Sequence, residues 1–150
     1  MCPPARASES ESTRAWSDPQ VFSHLALLPA IAIAAARVPA LLELVVLQSV
    51  VCVLSLLWHR SRERECGLAK LEHVAAHALF AYGVVQTWFA PNLLAFLFDV
   101  ACAGATLATY AATYSSPQRW EAWHALGMHV VPGLWSASIA AANASLLGRM

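Results

Sequence analysis

The chain has 150 residues, 59% of them apolar and only 12% charged, with a formal net charge of zero. An ordinary soluble domain is about 45–50% apolar and about 25% charged, so the composition argues against a soluble protein. No basic patch exceeds one loop, which excludes nucleic acid as a partner.

Residues 1–19 read as a disordered polar tail, with Ser8, Glu9, Ser10, Glu11, Ser12 and three prolines. Residues 20–147 read as an all-α, polytopic transmembrane bundle of about five spans, since the apolar runs approach the roughly 20 residues that cross a bilayer. The first span covers about residues 21–36 and bends at Pro29. Arg37, Val38 and Pro39 make a tight turn. The second span, about residues 40–59, carries Glu43 and Gln48, with Glu43 read as a buried, paired acid. A charged loop runs from Arg60 to Lys70. The third span covers about residues 71–89 and the fourth about 92–114, with Asp99 inside it. The fifth, about residues 120–146, bends at Pro132. Trp58, Trp88, Trp120 and Trp123 fall near span ends, where amphipathic rings settle at headgroup level. The four cysteines show no C-x-x-C spacing, so Cys52 and Cys102 read as free thiols within spans. The polar N-terminus is unlike a cleavable signal peptide.

Six histidines stand out in this apolar chain. With five antiparallel spans, His24, His59, His73, His77, His124 and His129 all lie toward one membrane face. Imidazole in apolar surroundings needs a hydrogen bond, water or a metal. Ser55 and His59 are i,i+4 and share a helix face, as do His73 and His77. His24 reads as an interfacial ring. His124 and His129 are i,i+5, which on a straight helix points them about 140° apart. A π-bulge absorbs one residue and returns them to one face. Pro132 and Gly127 favour such a distortion, because proline has no N–H for the carbonyl four residues back and glycine adds backbone freedom. With the bulge, His59, His124 and His129 give zinc three nitrogen ligands. The fourth position then stays open to water, as in catalytic zinc sites. Glu72 is the carboxylate placed to serve as base, and Ser55 the hydroxyl placed to steady an oxyanion.

Ser55-x-x-x-His59, then Glu72 early in the next span, then His124 and His129 in the last, resemble the signature of the CREST superfamily. That superfamily includes alkaline ceramidases, progestin/adipoQ receptors and myomaker. Leu28-Pro-Ala-Ile followed by Ser55-Leu-Leu-Trp-His59 is similar to the opening of the myomaker-like branch. The resemblance covers about residues 21–135. It implies a zinc site at His59, His124 and His129, and a zinc-dependent hydrolase of lipid amide or ester bonds with substrate entering from the bilayer. The chain departs from the pattern in three respects. Its last element is one residue longer, its acid is Glu rather than Asp, and it has about five spans instead of seven. The longer last element leaves the third ligand open, with His73 or His77 as substitutes. Two other readings stand beside the hydrolase. One is a non-catalytic protein in which zinc clips spans together, and the other is a plain bundle without metal. The positively charged loops place the histidine-bearing face in the cytoplasm, whereas the resemblance implies the opposite side.

Overall fold

The computed structural model describes residues 15–36, 41–61 and 66–147. Most of the polar tail assigned to residues 1–19, the turn at 37–39 and the middle of the charged loop lie outside the described residues. What is described is helical, with no strand among the described residues.

Five helices form the bundle. α1 spans Pro19–Ala35. Asp18 caps it by accepting the N–H of Gln20 at 2.9 Å, with Pro19 in the first turn. Its middle, Ser23–Leu27, tightens to 3-10 geometry before an α-helical turn restarts at Leu28 with Pro29 in its first turn. Pro29 therefore sits where its missing N–H is tolerated, instead of bending the span from within. α2 spans Leu42–Arg60 and α3 spans Cys66–Thr87, beginning five residues earlier than hydropathy suggests. α4 spans Leu93–Ser115, capped by Asn92 accepting the N–H of Ala95 at 3.0 Å. α5 begins as Trp120–His124, passes through a π-helical segment at Ala125–Val130 and continues as Val131–Leu147.

Helices α2, α4 and the Trp120–Ala142 stretch of α5 are long and apolar enough to cross a membrane, and α1 is a shorter apolar helix. α3 falls short in hydropathy because Lys70, Glu72, His73 and His77 crowd its N-terminal half. The burial pattern points the same way. Gln20, Gln48, Ser55, Asp99 and three histidines are at most 3% exposed, while Val53, Val74, Leu94 and Leu97 are more than half exposed. Polar groups inside and large aliphatics outside is the arrangement expected when hydrocarbon is the solvent.

α5 is the central helix. It packs on α1, α3 and α4, while α2 packs on α1 and α3. Two glycines of α5 allow the close approaches. A Cβ at Gly133 would run into the backbone carbonyl of Ala26 on α1, and one at Gly127 into the side chain of Thr109 on α4. Trp135 fills the core, stands on Gly83 and donates from Nε1 to Thr87 Oγ1 at 3.3 Å.

The polar groups of α2 and α5 meet along an antiparallel seam. His59 meets His124, Ser55 meets His129, and Gln48 accepts a 3.0 Å hydrogen bond from Ser136. On α2 the first two members of the seam are four residues apart, and on α5 they are five apart. The π-helical segment lies between His124 and Val131 and takes up the difference. Glu43 is exposed, contrary to its reading as a buried acid, because it begins α2 at the opposite end from the seam's histidines. Trp58 lies near the end of α2, as expected, and is buried at 7% exposure among histidine rings.

Candidate metal centre

Four of the six histidines converge: His24, His59, His124 and His129. They are 0–8% exposed. The ligand atoms of His24, His59 and His129 lie within 4.8 Å of one another. The His59 and His124 Nε2 atoms are 3.1 Å apart. Two nitrogens each about 2.0–2.1 Å from one tetrahedral ion are themselves about 3.3–3.4 Å apart. The His59–His124 separation is therefore close to that of two ligands on a common ion.

In His24 and His129, hydrogen bonds to the outer nitrogens fix which ring atom faces inward. His24 Nδ1 lies 3.1 Å from the carbonyl of Val21. A carbonyl only accepts, so Nδ1 carries the proton and Nε2 the bare lone pair. That Nε2 is buried with no hydrogen-bond partner. An unsatisfied buried acceptor costs about 1–3 kcal/mol, which a bound cation would offset. His129 is held in a similar way. Ser23 Oγ donates to the Gln20 carbonyl at 3.3 Å and accepts from His129 Nδ1 at 2.6 Å. This leaves His129 Nε2 as the inward lone pair, 3.3 Å from Ser55 Oγ. Metal-binding histidines characteristically donate their other N–H to a carbonyl or hydroxyl that fixes the tautomer.

The 3-10 turn of α1 builds part of this site, since it carries both Ser23 and His24 on five residues. α1 is locked over α5 at this end by Gln20 Nε2 donating to the Glu121 carbonyl at 2.5 Å. His24 is 3% exposed, so it is a member of the cluster and not an interfacial ring. Hydropathy could not separate these two positions. Alanines lie on several sides of α1, so spacing along the helix gave no signal for His24 either.

The other predicted residues divide. Ser55 is fully buried against His129. Glu72 is buried, yet its Oε2 lies 3.1 Å from Nδ1 of His73, whose side chain is 42% exposed. Trp58 packs against both groups, with ring centroids 5.9 Å from His73, 4.8 Å from His59 and 6.2 Å from His124. His73 is half-buried and His77 exposed, and neither joins the buried group.

A small apolar cavity of about 50 Å³ lies in the core between the helices, next to the cluster. Its lining includes Leu27, Val51, Met128 and Pro132, each within a helical turn of His24, Ser55 or His129. Thr106 and Ser136 supply hydroxyls on its wall.

The donor set is imidazole throughout, which suits zinc, copper, iron or nickel better than magnesium or calcium. No protein-family model, no curated protein and no solved structure matches the chain.

Proposed function

We propose that this is a multi-pass membrane protein whose buried histidines hold zinc, and that the centre hydrolyses an amide or ester bond of a lipid. The observation that carries the metal is His24 Nε2, a buried lone pair without a partner beside His59 and His129. His24, His59 and His129 would supply three nitrogens from three helices, and the fourth position would remain open. Zinc there supplies a Lewis acid and lowers the pKa of water.

The chain's own residues do the rest. Ser55 Oγ, 3.3 Å from His129 Nε2, offers a donor at the inner edge of the centre, where a developing oxyanion needs one. His124, with Nε2 3.1 Å from that of His59, lies beside these ligands and would take up a proton at the centre. Glu72 acts at one remove, since it holds His73. Three helices long and apolar enough to cross a bilayer support a lipid substrate, which can reach the bundle sideways from the hydrocarbon. The resemblance of Ser55-x-x-x-His59, Glu72, and His124 with His129 to the CREST superfamily supports a zinc-dependent lipid hydrolase, but it implies His124 where this reading has His24 as a ligand.

A second reading has an observation of its own. If His124 takes the fourth position, the shell closes and zinc becomes a clip between helices. One experiment separates the two: metal analysis and lipid hydrolysis of the purified chain, wild type beside His59→Ala, His124→Ala and Ser55→Ala. Wild type carries one tightly held zinc, and His59→Ala loses it. In a hydrolase, His124→Ala and Ser55→Ala keep zinc and lose turnover about 100-fold or more. In a clip, His124→Ala loses zinc and no variant has turnover to lose. Metal-free wild type eliminates both.

A further inference from the structure

His73 and His77 are the histidines that the buried centre leaves unused. They are i,i+4 on α3 and so share one face of it. Both rings are pinned in the same manner. His73 Nδ1 donates to the carbonyl of Ala69 at 2.6 Å, and His77 Nδ1 to the carbonyl of His73 at 2.5 Å. Each ring is therefore in the Nδ1–H form, and each lone pair sits on Nε2. His73 has in addition the Glu72 carboxylate 3.1 Å from Nδ1. A carboxylate behind the outer nitrogen raises the basicity of a ligating imidazole.

His77 is exposed and His73 half-buried, with the exposed Lys70 one turn before His73 and the exposed Val74 one turn before His77. Two imidazoles pinned one turn apart on such a face can share an ion. The rise between them is on the order of 6 Å, and two ligands of one ion span at most about 4 Å. The two Nε2 atoms must turn toward each other to share an ion, and the Nδ1 hydrogen bonds keep both of them bare acceptors.

We propose that His73 and His77 form a second metal site, which takes a divalent transition ion such as zinc on two imidazole nitrogens at the outer surface of α3, with water completing the shell. Two ligands make it weaker and faster-exchanging than the buried centre. The two sites share no ligand, and the Trp58 ring packs against both.

The test is a calorimetric zinc titration of the full chain in detergent micelles after chelator stripping. The comparison is wild type with His73→Gln, His77→Gln and His59→Gln. Each α3 variant should bind one zinc fewer than wild type, and the zinc lost should be the weaker one. His59→Gln should retain that weaker zinc. If both α3 variants bind as many zinc ions as wild type with unchanged affinity, the second site does not exist. Failure of the buried centre would show separately, as a His59→Gln variant indistinguishable from wild type. Both α3 positions face outward, and unchanged helical circular dichroism confirms that the variants fold.

Discussion

At the scale of single residues, the site depends on which ring nitrogen is left bare. His24 and Ser23 set this from α1 without any sequence motif to announce them. The Ser23 hydroxyl passes the Gln20 carbonyl's orientation on to His129. Ser23→Ala should therefore weaken zinc binding about 10–100-fold, the usual effect of losing such a support, with folding intact. His24→Ala should cost more, because it removes a ligand. Competition against a chromogenic chelator measures both, and His24→Ala binding zinc as tightly as wild type would remove α1 from the site.

At the scale of elements, the π-helical segment is the decisive feature. It matches five residues of α5 to four of α2, so that His124 and His129 both face the seam. Deleting the partly exposed Leu126 should convert the segment to ordinary α-helix and leave the rest of α5 in register. That variant should fold and still bind zinc. Deleting one residue from the regular helix beyond Val131 would rotate the remaining turns of α5 by about 100° and should abolish folded protein, as read by size-exclusion monodispersity in detergent. The glycine contacts give a second test. Gly133→Ala should destabilise by about 1–3 kcal/mol, because the obstacle is the Ala26 backbone and cannot turn aside. Gly104→Ala should be close to neutral, since nothing lies within 4 Å of the added Cβ.

At the scale of the molecule, one ion would tie α1, α2 and α5 together at one end of the bundle. Binding that is confined to the folded state stabilises it by about 4 kcal/mol at 1,000 times Kd. Chelation should then lower Tm by on the order of 10 °C, and equimolar zinc should restore it. An unchanged Tm after verified metal removal would mean that the histidines contribute nothing to holding the helices together. The gain matters here because this end of the core is polar: Gln20, His24, Ser55, His59 and His129 are all buried, where a soluble protein would place aliphatics.

The sequence by itself determined the helical class, the approximate spans, the gathering of histidines toward one face and the need for one extra residue to be absorbed before Pro132. These are local or additive properties. Hydropathy sums along the chain, and helical periodicity converts the His124–His129 spacing directly into an angle. Only the tertiary structure decided which histidines meet. His24 looked interfacial, yet it is buried, because the 3-10 turn and the Gln20 clamp bring α1 over α5. Glu72 lay in the expected place along the chain, yet its carboxylate turns to His73. Side-chain direction depends on how neighbouring helices rotate and press together, and spacing along one helix carries no information about the rotation of the next.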